Sequence, residues 1–106
     1  MLVVTTNDVA GYRIVKQLGL VRGLTVRSRS LAGNLGASVQ ILFGGNITVY
    51  QRLAEQARQE AYDLLIAEAT RVGANAIIGL RYDATELMPG ITEVLCYGTA
   101  VHIEPI

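Results

Sequence analysis

The 106-residue chain contains one cysteine, so no intrachain disulfide can staple it, and nothing in its composition points to an oxidising compartment. Charge of one sign is not in excess either. Nine Lys and Arg balance nine Asp and Glu for a net charge of 0. A non-specific nucleic-acid binder carries a basic surplus, and none is present. The first residues, Met1-Leu2-Val3-Val4-Thr5-Thr6-Asn7-Asp8, have no basic segment and only a short apolar run, unlike a signal peptide. No run suits a membrane span. The longest uncharged stretch, Ser30 to Gln51, is interrupted by Asn34, Ser38, Gln40, Asn46 and four glycines. A soluble, cytoplasmic protein without membrane or nucleic-acid partners is expected.

What is present is apolar. Hydrophobic residues make up 51% and charged residues 17%, with a mean hydropathy of +0.36, which excludes intrinsic disorder. A chain of this size buries about 65% of its unfolded surface, enough for one modest core. A single domain over residues 1–106 is expected.

Leu2 to Thr6 are apolar and β-branched and read as a strand, and Asn7-Asp8 and Gly11 mark a turn. From Tyr12 to Arg29 the pattern largely alternates. Tyr12, Ile14, Leu18, Leu20, Leu24 and Val26 form an apolar set, against Arg13, Gln17, Thr25, Arg27 and Arg29. Gly19 and Gly23 interrupt this run, so a bulge or sharp bend is expected in one long strand or between two short ones. Ser30 can cap a short helix from Leu31 to about Phe43, ended by Gly44-Gly45. Thr48 and Gln51 then form a capping box for a long helix from about Val49 to Val72. Leu53, Ala54, Ala57, Ala61, Leu64, Leu65 and Val72 lie on its apolar side. Arg52, Glu55, Gln56, Gln59 and Asp63 lie opposite, Arg71 suits the negative C-terminal end, and Gly73 stops it.

Two strands close the chain, Asn75 to Leu87 and Ile91 to Glu104, joined by a turn at Met88-Pro89-Gly90 in the order a type II turn prefers. Both are apolar on both parities. A sheet buried on one face shows a clean polar face. Helices cover one face here, so the other calls for a partner, and a second copy of the chain is the simplest one.

Gly11-Tyr12 with Ile14, Leu18-Gly19-Leu20-Val21 and Gly23 resemble the first half of the YbjQ-like family, also called the putative heavy-metal-binding domain. Gly44-Gly45, Tyr50, Leu53 and Arg58 resemble its central turn and the start of its long helix. Gly73-Ala74-Asn75-Ala76-Ile77-Ile78-Gly79 and Gly98-Thr99-Ala100-Val101 resemble its two most recognisable motifs. The resemblance implies an α+β fold: an antiparallel sheet with one short and one long helix, a dodecin-like subunit. It further implies assembly into a closed homopentamer, a β/α-propeller-like ring.

The family name directs attention to soft ligands; Cys96, His102, Met1 and Met88 are the candidates, Cys96 and His102 foremost. A zinc or copper site needs three or four N or S ligands converging on one ion. Cys96 and His102 share parity on one strand, and six residues there span about 20 Å. One chain cannot chelate with both, so any such site needs symmetry-related copies. The same separation excludes a nucleophile–base pair. Asp83 and Glu86 near the hairpin, and Glu55, Glu60 and Asp63 on the helix, read as solvated charges. No phosphate loop occurs. Arg22, Arg27 and Arg29 could bind an anion, but read rather as solvent-facing or as pairing across a subunit boundary.

No catalytic residue is assigned and the cofactor is unknown. The chain reads as a non-enzymatic homopentameric binding or scaffold protein that takes a metal or small ligand. The alternative is an enzyme or small-molecule binder whose site is assembled between subunits.

Overall fold

The structure, a computed structural model, describes residues 1–28 and 48–106. In chain order the elements are β1 (Leu2–Val3), β2 (Tyr12–Ser28), α1 (Thr48–Arg71), β3 (Ala76–Met88) and β4 (Ile91–Pro105). They form one helix on a four-stranded sheet of order β1-β3-β4-β2. The expected short helix and its Gly44-Gly45 end lie outside the described residues.

The sheet is mixed, not wholly antiparallel as the sequence suggested. β1 runs parallel to β3, Leu2 opposite Ala76 and Val3 opposite Ile77. β2, the helix and its turns all intervene between these strands, and parallel neighbours need such a long crossover. β1 is also shorter than the expected Leu2 to Thr6. After Val3 the partner strand bulges between Ile78 and Arg81, where Gly79 takes a φ of +64°. The first strand follows the bulge. Its backbone donates from Val4 to Ile77 at 2.9 Å, and receives Leu80 at Val4 (3.0 Å) and Gly79 at Thr6 (2.8 Å).

The helix buries a stripe at intervals of four: Leu53, Ala57, Ala61, Leu65 and Ala69, with the last four buried. Leu64, expected on this side, is 49% exposed, because it lies one position off the stripe. Arg71 pairs with Glu68, Nε to Oε2 at 3.0 Å and Nη2 to Oε1 at 2.6 Å, beside the negative helix end. The helix ends as a Schellman motif. Ala74 donates to the Ala69 carbonyl and Gly73 to that of Thr70, both at 3.0 Å, with Gly73 at φ +85°.

β2 is one strand with register shifts against β4 between Ile14 and Lys16 and between Gln17 and Gly19. Beyond the second shift, where Gly19 has φ +103°, Val21, Gly23, Thr25 and Arg27 turn to the helix. Leu20, Leu24 and Val26 face away at 71%, 46% and 54% exposure. This part of the apolar set read from the sequence therefore lies on the uncovered face, while Leu18 packs against the main core and Ile14 against the second cluster. The helix backbone comes so close that only the smallest residues fit beneath it: a methyl group at Gly23 would overlap the Ala61 carbonyl oxygen and come within 2.5 Å of the Leu65 nitrogen.

On the far side of the sheet a second cluster of Ala76, Ile78, Val101 and Ile103 is covered by Val4, Val9 and Ile14. It protects one end of that face only. The β3–β4 turn places Gly90 at φ +83° after Pro89, as expected. The molecule is elongated, with extents of 56 × 23 × 17 Å.

Candidate functional site

Cys96 sits at the centre of the sheet, opposite Gly23 on β2 and Tyr82 on β3, fully buried beneath the helix. Burial pushes its thiol above its ordinary pKa, and a hydrogen bond with Tyr82 offsets part of that rise. Tyr82 is pushed up to about 12, first by desolvation, then by the charge and hydrogen bond of Cys96 and by Tyr62, with Arg58 opposing. Both groups are held protonated at neutral pH. A buried thiol in this state is neither a good nucleophile nor a ready metal ligand.

His102 is half-buried, six residues along the same strand and opposite Lys16. The fold does not bring it to Cys96. Among the described residues no group of three or more His, Cys, Asp or Glu could hold a metal ion. Within one chain these residues do not fit a soft-metal site. Asp83 lies opposite Leu95 and Glu86 opposite Thr92 near the hairpin, both exposed and apart from Cys96.

The arrangement that does converge lies between the first half of α1 and the hairpin end of the sheet. A groove of about 540 Å³ is lined by Leu53, Ala57, Val94 and Ala84, with Arg27 and Arg58 at its walls. Arg27, which the sequence assigned to solvent or a subunit boundary, faces the helix instead, because the bulges upstream reset its parity. Its Nη2 pairs with Glu60 on α1, which also accepts the Thr25 hydroxyl at 3.2 Å. The Nε of Arg27 is buried and has no partner among the described residues. Arg58 stacks over Tyr82, its Cζ 5.5 Å from the ring centroid. Arg22 is exposed on the uncovered face, and Arg29 lies outside the described residues.

Reading the sequence missed this groove. Arg58 carried part of the family resemblance, but nothing local linked it to Arg27, 31 positions away.

The sequence profile of the YbjQ family, described as "Putative heavy-metal-binding", matches residues 1–104. The chain belongs to this family. UPF0145 proteins of Burkholderia mallei and Burkholderia pseudomallei are each 61% identical over 100 residues, 94% of this chain and 90% of theirs. Among solved structures, a protein of unknown function of the DUF74 family from Pediococcus pentosaceus superposes with a TM-score of 0.67. It covers 98% of each chain at 21% identity, a likeness of fold alone. No helix among the described residues is long and apolar enough to cross a membrane.

Proposed function

We propose that this YbjQ-family chain is a single-domain, self-assembling binding protein with no catalytic chemistry of its own, closed into a homopentameric ring. The observation that carries the assembly is the outward face of β2. Leu20, Leu24 and Val26 stand exposed along one strand, and no described residue covers them. Fully burying one such side chain contributes about 1.5–3 kcal/mol, so a repeated strip of three is a strong incentive to associate. The family resemblance supplies the number five. The non-catalytic reading rests on the Cys96–Tyr82 pair, both protonated, and on the separation of His102 from every other candidate group. A soft metal, which the family's description suggests, would have to draw its ligands from several copies within the ring.

Light scattering on the purified protein tests the assembly. The expected mass is about 57 kDa, five times the 11.4 kDa chain. Leu20→Glu with Leu24→Glu should yield a smaller species. A stable monomer of the native sequence at micromolar concentration would overturn the reading.

A further inference from the structure

We propose that the groove between α1 and the hairpin end of the sheet binds a small organic anion with an apolar body, a monocarboxylate of medium chain length. The proposal rests on the binding reading above, but the groove is built within one chain and does not need the ring.

Three observations select this ligand. The first is charge. The chain as a whole is balanced, yet among the described residues the groove lining holds two arginines and no carboxylate. A cation has nothing to bind there, and an anion has two partners. Glu60 offsets Arg27 through their ion pair, so the net local charge is set by Arg58, which pairs with no carboxylate among the described residues.

The second is the state of the donors. Arg27 spends Nη2 on Glu60, but its buried Nε has no acceptor among the described residues. That Nε is enclosed and out of a groove ligand's reach, so the anion's charge falls to Arg58. Arg58 lies against the face of Tyr82. This cation–π contact places the guanidinium beside the groove, and a guanidinium can receive a carboxylate through two parallel hydrogen bonds.

The third is the apolar part of the lining. Leu53, Ala54, Ala57, Ala84 and Val94 present hydrocarbon, beside the uncharged polar groups of Ser28, Gln56 and Thr92. A free phosphate or sulfate would leave these surfaces unmatched, whereas an alkyl chain covers them. A volume of about 540 Å³ lies within the ordinary range for small-molecule sites.

Isothermal titration calorimetry with octanoate, octanamide and acetate separates the contributions. Octanamide keeps the apolar body without the charge, and acetate keeps the charge without the body. Octanoate is expected to bind with a Kd below ~1 mM, and the other two at least about tenfold more weakly. Arg58→Gln should weaken octanoate about tenfold, some 1.4 kcal/mol, and leave octanamide unchanged. Arg58→Lys should retain most of the affinity. Ala84→Phe, which fills the groove from an exposed strand position, should abolish octanoate binding without lowering thermal stability, and it decides the matter if Arg58→Gln fails to fold. No octanoate binding up to ~10 mM, equal affinity for octanamide, or full binding by Ala84→Phe would each overturn the proposal. Light scattering on the same samples reports the assembly separately, so a failed ring and an empty groove are distinct results.

Discussion

Gly23 offers the sharpest test of how the helix meets the sheet. Its Cα lies directly beneath α1, and a Cβ there would strike backbone: the Ala61 carbonyl oxygen, the Leu65 nitrogen at 2.5 Å and the Ala61 carbonyl carbon at 3.0 Å. No side-chain rotation can relieve such a clash, so the helix itself must retreat. Bringing the Leu65 nitrogen alone from 2.5 Å to the 3.4 Å of ordinary contact requires about 0.9 Å of movement, and clearing the nearer Ala61 oxygen requires more. A gap of that size forfeits roughly a quarter to a half of the dispersion energy across the interface it opens. The interface concerned includes Ala57, Ala61, Leu65 and Ala69, all part of the main core. Inserting even one methylene into a packed core costs about 1–3 kcal/mol, and a backbone-on-backbone clash belongs at the upper end. Against this stands a gain of about 0.4–1 kcal/mol from removing glycine's freedom in the unfolded chain. The net expectation for Gly23→Ala is a loss of about 2 kcal/mol or more. Gly98→Ala is the internal comparison. Its methyl would meet the Ile77 side chain at 2.7 Å and the Ile78 oxygen at 3.0 Å, and the side chain can yield. Urea denaturation of both variants should rank Gly23→Ala as the more damaging. A Gly23→Ala protein within about 0.5 kcal/mol of the parent would refute the close approach of helix and strand.

Asn75→Ala should cost about 1–3 kcal/mol by the same assay, because the Asn75 amide donates to the Ile103 carbonyl at 2.9 Å and accepts from the Ile103 N–H at 2.8 Å, two bonds that extend the β3–β4 ladder. An unchanged midpoint would mean that water replaces both. Stability should also fall at alkaline pH. The folded state raises the pKa of Cys96 above its ordinary 9.0 and that of Tyr82 from 10.0 to about 12, so it favours the protonated forms. That contribution is complete below the unfolded values and is lost as pH rises through the folded ones. Thermal melts should therefore weaken from about pH 9 upward. Cys96→Ala should flatten the earlier part of the decline and Tyr82→Phe the later part, and a parent melting temperature that holds to about pH 11 would contradict the upward shifts of Cys96 and Tyr82.

The elements legible in the sequence were those set by local chemistry. Gly73 stopped the helix where a left-handed residue was needed, and Pro89-Gly90 made the hairpin. The long helix begins at Thr48 and ends at Arg71, one residue from each expected end. What was not legible depends on single-residue bulges. Counting outward from Met88 opposite Ile91, a regular ladder places Asp83 across from Cys96. The shift between Glu86 and Met88 brings Tyr82 there instead, and replaces an acid beside the thiol with a phenol. Likewise the two shifts in β2 decide that Arg27 meets Glu60 and that Leu20 meets solvent. Alternation gives the two faces of a strand but not which one turns inward, and at Gly23 the inward face is the one with less to bury. The parallel β1–β3 pairing joins segments more than 70 residues apart in sequence and has no local signature.

The layer between helix and sheet is thin because it is built from Gly23, Ala57, Ala61, Ala69 and Ala100, while Leu20, Leu24, Val26, Leu87 and Met88 stand outside it. Leu65, Ile77 and Val101 fill the interior, yet these large apolar side chains remain outside. In the proposed ring they meet a neighbouring copy, and folding and association share one free energy. Dilution then acts as a denaturant. Melting temperature should climb with protein concentration in the absence of any added ligand, as mass action requires when the native state is a complex. Mixed rings of intact and damaged copies would follow the same logic, since a damaged copy withdraws support from every intact neighbour it touches.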